Sequence, residues 1–355
     1  MTVPATAMGQ GSSQGSSDDV LIELLKPLLL FFRRPDLFEI VINRAGEVRT
    51  EDLFGWQTHT IPELTFERLR RLARVIASSS NQAVDESRPL LSATLPGGER
   101  VQVVIPPAVP EGTVSLTIRK PSTANYSLDE LKTHGLFDIT RLVGRAAHAT
   151  ETEMVDLSSE TKALLELLRA KDFVTFLREG VRSRLNILIS GATGSGKTTL
   201  SKALICEIPS DERIMTIEDT PELVIPQPNH VRLFYSKGGQ GTANVSAKEL
   251  LEACLRMRPD RILLQELRDE AAFYYINNVN SGHPGSITTV HANSARLAFE
   301  RLTLLVKESA AGRDLERDDI RNLLMATVDV VVQCKRVGGK FRVTEIYYDP
   351  VRTVD

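Results

Sequence analysis

The sequence contains few cysteines, few aromatic residues and no long apolar run. Its three cysteines, Cys206, Cys254 and Cys334, are far apart and lie in apolar segments, which excludes a disulfide framework and a C-x-x-C metal site. Aromatic residues make up 5% of the chain, which leaves few platforms on which nucleic-acid bases could stack. We therefore expect a cytosolic protein whose cysteines are reduced core residues.

Neither sign of charge dominates. The formal net charge at pH 7 is -3, which argues against binding of nucleic acid by bulk charge. The most apolar early run, residues 20–32, contains Glu23, Lys26 and Pro27 and is too short to span a bilayer, so it is expected to be an amphipathic first helix. The Gly/Ser/Gln-rich start of the chain is not expected to be a secretory signal. Any membrane association is therefore expected to be peripheral.

What the sequence does contain is a phosphate-binding loop in a fitting context. The pattern G-x-x-x-x-G-K-[ST] falls within Gly191, Ala192, Thr193, Gly194, Ser195, Gly196, Lys197, Thr198 and Thr199. An apolar run before the loop predicts a buried strand, and the residues after it predict a helix. In such a loop the backbone N–H groups surround phosphate oxygens, the lysine reaches the β and γ phosphates, and the Thr198 hydroxyl ligates Mg²⁺. The protein is therefore expected to bind a nucleoside triphosphate with Mg²⁺.

The length suggests two domains, each with its own core. Residues 1–17 are expected to be disordered, and residues 18–120 to form a smaller α+β domain with an antiparallel sheet around a helix at residues 62–78. Residues 121–144 are weakly patterned and are expected to be the linker. Strands and helices alternate in residues 145–355, which predicts a mostly parallel α/β sheet that ends in a hairpin around Gly338 and Gly339.

Carboxylates follow two of the predicted parallel strands. Glu266 ends one apolar strand, and the adjacent pair Glu218 and Asp219 ends another. Ligands gather at the carboxyl ends of strands in such sheets. Because phosphoryl transfer needs a group that orients the attacking water, Glu266 is our candidate for the water-orienting carboxylate. Only one carboxylate of the pair can point into the site. The residues Asp-Thr-Pro are also a good turn sequence, so a functional role for the pair stays open.

Two histidines, His283 and His291, bracket a segment that contains glycine. Their spacing does not suit a shared metal face on a helix, and no cysteine lies nearby. A histidine is usually structural, but a glycine-flanked histidine that leads into a strand beside a nucleotide site is a candidate sensor of the γ-phosphate. Spacing alone leaves both interpretations open.

Taken in order, these motifs resemble the secretion-ATPase superfamily that serves type II and type IV secretion, and in particular the hexameric traffic ATPases of type IV secretion and conjugation. The matching stretches are the phosphate loop, the acidic box at residues 217–222, an atypical Walker B segment at 255–268 and the histidine box at 282–292. Residues 95–102 and 116–121 match more loosely. The resemblance implies a RecA-like P-loop NTPase domain, preceded by the smaller domain, and ATP hydrolysis.

The resemblance also implies roles for particular residues. Lys197 and Glu266 become catalytic, with Glu218 acting with the metal or the water and His283 contacting the γ-phosphate. The roles of Asp219 and His291 remain open.

Three arginines acquire roles from the resemblance alone. Arg100 and Arg119 match positions where the family closes its N-terminal domain over the γ-phosphate. Arg258 matches an arginine associated with the contact between subunits.

The resemblance further implies a homohexamer, ATP and Mg²⁺ as ligands, and a place at the cytoplasmic face of the bacterial inner membrane among other type IV secretion components, without sequence-specific binding of nucleic acid. Hydrolysis would drive domain motions that power transfer of protein or DNA. The alternatives are a type II secretion or pilus motor, a RecA-like nucleic-acid motor, and a nucleotide-gated platform with incidental turnover. The lack of a four-cysteine zinc module and the sequence of residues 319–334 favour the type IV branch.

Overall fold

The computed structural model describes residues 14–52, 55–120, 125–144, 157–235, 245–280 and 282–350. The described residues up to Lys120 belong to one compact unit, and those from Asn125 to Tyr235 and from Val245 onward belong to a second. The first helix begins at Gln14, inside the segment that the composition predicts to be disordered, while residues 1–13 lie outside the described part. In the described ranges, no helix combines the length and the apolar character needed to cross a membrane.

The first unit consists of helices packed against one antiparallel sheet. Its helices are α1 (Gln14–Leu25), α2 (Leu29–Phe32), which follows a 3₁₀ turn, and α3 (Phe66–Ser79). Its strands are β1 (Glu39–Arg44), β2 (Glu47–Asp52), β3 (Gly55–Thr60), β4 (Leu90–Thr94), β5 (Arg100–Val104) and β6 (Ser115–Arg119). The order is β3-β2-β1-β6-β5-β4, with each neighbouring pair antiparallel. The expected smaller α+β fold is confirmed.

One face of this sheet is buried because side chains alternate along each strand. Ile40 and Ile118 lie in the same buried cluster as Leu72 of α3. The predicted helix at residues 62–78 starts later than expected, because the Thr65 side chain accepts a hydrogen bond from Arg68 N at 3.2 Å and caps α3.

The second unit alternates strands and helices. Its helices are α4 (Leu128–Thr133), α5 (Ser159–Arg169), α6 (Phe173–Arg182), α7 (Lys197–Ile205), α8 (Ala247–Cys254), α9 (Ala271–Asn280), α10 (Ala295–Glu308) and α11 (Arg317–Thr327). Its strands are β7 (Arg141–Val143), β8 (Ile187–Gly191), β9 (Ile214–Glu218), β10 (His230–Phe234), β11 (Arg261–Leu264), β12 (Ile287–Val290), β13 (Val330–Val337) and β14 (Lys340–Tyr348).

These strands form two sheets, β10-β9-β11 and β12-β8-β13-β14-β7, in which the antiparallel pair is the C-terminal hairpin β13–β14. Ser286 Oγ donates to the carbonyl oxygen of Ile262 at 2.9 Å, so β12 lies beside β11. Ile187 and Ile189 pack on the side of α5, α6 and α7, whereas Leu188 packs on the side of α9, α10 and α11. The expected mostly parallel α/β sheet, buried on both faces, is confirmed.

Residues 121–144 are not a linker along their whole length. Ser127 caps α4, and Leu128 and Leu131 are buried in the core of the second unit. Strand β7 pairs in parallel with β14. The boundary therefore falls before Asn125, because the apolar side chains that follow are buried by the second core. The sequence alone did not reveal this because the segment is short and weakly periodic.

Candidate active site

The phosphate loop joins the carboxyl end of β8 to α7. A Cβ atom on Gly191 would lie 2.5 Å from the carbonyl oxygen of Cys334, so this position has no room for a side chain. Gly196 adopts a left-handed φ of 90° at the N-cap of α7 and offers no side chain to the first helical N–H groups. The exposed N–H groups of a helix N-terminus attract anions. The loop therefore has the backbone geometry of a phosphate site.

The side chains of Lys197 and Ser195 are also suited to a phosphate site. Lys197 is only 9% exposed. Its Nζ donates to the carbonyl oxygens of Gly191 at 2.8 Å and Ala192 at 2.9 Å, which holds the ammonium at the loop. Ser195 Oγ is buried and has no hydrogen-bond partner among the described residues. A buried hydroxyl beside an ammonium is suited to donate to an anion.

His291 joins the loop to the candidate carboxylate. Its Nδ1 lies 3.4 Å from Lys197 Nζ, and its Nε2 lies 3.1 Å from Oε1 of Glu266. The reason is strand order: β12, which precedes His291, lies between β8 and β11, so the three side chains meet at one edge. The sequence left the role of His291 open, although its position just after a parallel strand was a usable signal.

Glu266 is held as an anion. Its Oε2 accepts a hydrogen bond from Arg268, and Arg268 Nη1 also lies 3.1 Å from Oδ2 of Asp219. Burial raises the pKa of Glu266, but the hydrogen bonds from His291 and Arg268 outweigh it and lower the pKa to about 2. A carboxylate with such a pKa is ionised at neutral pH and is a weak base, so it is better suited to orient a water molecule than to deprotonate it.

Glu218 accepts hydrogen bonds on both carboxylate oxygens. It is fully buried. Its Oε1 accepts from Thr216 Oγ1 and Arg232 Nε, both at 2.9 Å. Its Oε2 accepts from the backbone N–H groups of Glu222 and Leu223 at 2.9 Å and from Arg232 Nη2 at 3.0 Å. Both oxygens are thus engaged by groups outside the Lys197–His291–Glu266 set, and a role of Glu218 beside the metal or the water stays a prediction.

Asp219 is the carboxylate of the adjacent pair that joins the cluster, through Arg268. Neighbouring residues at the end of a strand point to opposite sides, so only one of the two could do so. The sequence patterns predict no role for Arg268. Its place in the cluster depends on two carboxylates that approach it from different strands.

His283 and Arg258 are not brought to the phosphate loop of their own chain. Strand β12 runs parallel to β8 with Ile287 opposite Ile187, so His283, which precedes β12, lies at the opposite edge of the sheet from the loop. Arg258 precedes β11 and lies at that same edge. The expected contact of His283 with the γ-phosphate is therefore not available within one chain, and Arg258 is likewise away from the Glu266 cluster.

Arg100 and Arg119 lie in the first unit, directly opposite each other across β5 and β6. Glu39 is the partner of Arg119 on the other side, across β1 and β6. Like charges directly opposite each other destabilise a sheet unless something compensates them. Glu39 supplies such a compensating charge beside Arg119.

Comparison with known proteins shows the family of this chain. Residues 58–338 match the family described as "Type II/IV secretion system protein". The chain is 58% identical over 348 residues to the type IV secretion system protein VirB11 of Bartonella quintana (strain Toulouse), covering 97% of this chain and 98% of that protein.

Solved structures are also similar. The crystal structure of the VirB11 ATPase from the Brucella suis type IV secretion system, in complex with sulphate, is 43% identical, with a TM-score of 0.52 over 93% of this chain and 98% of that chain. The pilus retraction motor PilT with bound ADP has a TM-score of 0.55 at 17% identity, over 94% of this chain and 84% of that chain, and so shares the fold.

Proposed function

Because the chain belongs to the type II/IV secretion system protein family and is an ATPase of a type IV secretion system, we propose that ATP hydrolysis at the Lys197–His291–Glu266 cluster drives domain motions in a homohexameric ring. These motions would power assembly of the secretion system or transfer of protein or DNA. The observation that carries the proposal is the single imidazole that joins the phosphate-loop lysine to the ionised carboxylate.

In this proposal the loop from Gly191 to Thr199 holds the phosphates. Lys197 and the α7 N-terminus supply positive charge, and the buried hydroxyl of Ser195 supplies a donor. The Thr198 hydroxyl, partly exposed in the first turn of α7, would hold Mg²⁺, which neutralises phosphate charge during the transfer. The chain's own residues fit such a group, since an anionic Glu266 lies across the same edge of the sheet.

Glu266 would accept a hydrogen bond from the attacking water and fix its direction. Within the chain we place His291, and not His283, beside the γ-phosphate, because its Nδ1 lies 3.4 Å from Lys197 Nζ. Glu218 would act indirectly, by accepting hydrogen bonds from the backbone N–H groups of Glu222 and Leu223 and so holding that segment in place.

The remaining assignments concern the assembly. Arg100 and Arg119, which lie opposite each other on β5 and β6, would contribute an anion contact from the first unit. Arg258 and His283, at the far edge of the sheet, would serve a contact between subunits. Other components of the secretion system would be the partners, at the cytoplasmic face of the inner membrane, with peripheral association.

The test compares Glu266→Gln with Lys197→Ala in ATP hydrolysis and nucleotide binding. We expect Glu266→Gln to bind nucleotide and to lose hydrolysis by about 100-fold or more. Lys197→Ala should lose binding as well. Hydrolysis by Glu266→Gln at the wild-type rate would contradict the assigned mechanism, and secretion by that variant without hydrolysis would favour the platform alternative.

A further inference from the structure

We infer that Arg268 and Asp219 form a positioning pair that fixes the carboxylate of Glu266 for hydrolysis. The inference rests on the proposed function, because it presupposes that Glu266 orients the water. Arg268 does not touch the reacting atoms in this account; it acts through Glu266.

The geometry is that of a bridge. Arg268 donates from Nη2 to Oε2 of Glu266, and its Nη1 lies 3.1 Å from Oδ2 of Asp219. The side chains of Arg268, Glu266 and Asp219 are 28%, 15% and 12% exposed, so water screens this bridge less than a surface ion pair. A planar guanidinium can serve two carboxylates with fixed directions, whereas an ammonium cannot.

The bridge completes the fixing of Glu266. The terminal torsion of a glutamate is soft, so a carboxylate with one partner can still rotate. Here His291 holds Oε1 at 3.1 Å and Arg268 holds Oε2, so each oxygen has its own partner. Removal of Arg268 would leave Oε2 free to turn away from the loop.

Asp219 holds Arg268 in place and is itself fixed. Its backbone N–H donates to Gln265 Oε1 at 3.3 Å, and Gln265 Nε2 donates to Glu222 Oε2 at 2.9 Å. Glu266 and Asp219 follow neighbouring parallel strands, β11 and β9, so without the arginine two carboxylates would face each other. Loss of Arg268 should therefore cost more activity than loss of Asp219.

The experiment measures kcat and KM for ATP in the full chain. We expect Arg268→Gln to lower kcat by about 10- to 100-fold with KM nearly unchanged. Asp219→Asn should have a smaller effect of the same kind, and Arg268→Lys an intermediate one. Arg317→Gln is the matched control, because it breaks the exposed pair of Arg317 with Glu300 outside the cluster, and it should behave as wild type.

Two readouts separate positioning from a merely structural role. The double variant Glu266→Gln/Arg268→Gln should be no slower than Glu266→Gln alone, since Arg268 acts only through Glu266. In Arg268→Gln the hydrolysis rate should also fall more steeply than in the wild type as the pH is lowered towards 5, because the pKa of Glu266 returns towards its ordinary value.

The outcomes distinguish this inference from the proposed function. Wild-type hydrolysis by Glu266→Gln would overturn the proposed function. An inactive Glu266→Gln together with a wild-type kcat in Arg268→Gln, or additive losses in the double variant, would overturn the positioning pair alone. If Arg268→Gln does not fold, the charge-retaining Arg268→Lys decides, and a wild-type kcat in that variant at a wild-type melting temperature would overturn the inference.

Discussion

The imidazole Nε2 of His291 lies 3.1 Å from Oε1 of Glu266, across the ends of two neighbouring strands. Its other nitrogen faces the Lys197 ammonium at 3.4 Å. An ammonium can only donate and an ionised carboxylate can only accept, so a neutral imidazole fits between them when Nδ1 accepts and Nε2–H donates. In this tautomer the imidazole links the lysine ammonium to the carboxylate through its two ring nitrogens.

The first prediction concerns the two histidines. We expect His291→Ala to lower kcat by about 10- to 100-fold, because Glu266 loses the donor on one oxygen. His283→Ala should leave the affinity of the chain for a fluorescent nucleotide analogue unchanged, since His283 lies at the opposite edge of the sheet. A wild-type kcat in His291→Ala, or a loss of nucleotide affinity in His283→Ala, would contradict the placement of the site.

The second prediction concerns pH. The pKa of Glu266 is about 2 in the folded protein and 4.5 ordinarily, so its contribution to stability is fully present above pH 4.5 and is lost as the pH falls through about 2. We expect the difference in free energy of unfolding between wild type and Glu266→Gln to be constant from pH 5 to 7 and to shrink below pH 4.5. Denaturant titrations at each pH measure it, and a difference that grows on acidification would show the sign to be wrong.

The third prediction concerns the loop glycines. Gly191→Ala should destabilise the protein by about 1–3 kcal/mol, because its Cβ would collide with the Cys334 carbonyl. Gly194→Ala is the comparison, since it has a left-handed φ of 68° but open space around it, and it should cost about 1 kcal/mol. Thermal and denaturant unfolding measure both variants; a Gly191→Ala protein as stable as wild type would contradict the close approach.

The fourth prediction concerns a buried ion pair. Arg261 is fully buried and donates to Glu212 from Nε at 2.6 Å and from Nη2 at 2.9 Å. Removal of one partner leaves the other charge buried, so Glu212→Gln and Arg261→Ala should each destabilise the protein by about 3–5 kcal/mol. Arg317→Gln should cost less than about 1 kcal/mol, because that pair is on the surface. Similar losses in buried and surface variants would contradict this prediction.

The sequence by itself determined the features that depend on neighbouring residues. These features are local patterns, set by backbone preferences and side-chain periodicity. They are the phosphate loop, its flanking strand and helix, and the carboxylate that follows β11. The alternation of strands and helices likewise determined the α/β class, and the ordered motifs identified the family.

Only the tertiary structure decided which of these residues meet. His283 precedes and His291 follows one four-residue strand, β12. The direction of that strand beside β8 brings His291 to the loop and keeps His283 away from it. The pairing of β9 with β11 in turn brings Asp219 near Glu266 and places Arg268 between these two carboxylates. Strand order and direction arise from long-range packing, which a local sequence pattern does not encode.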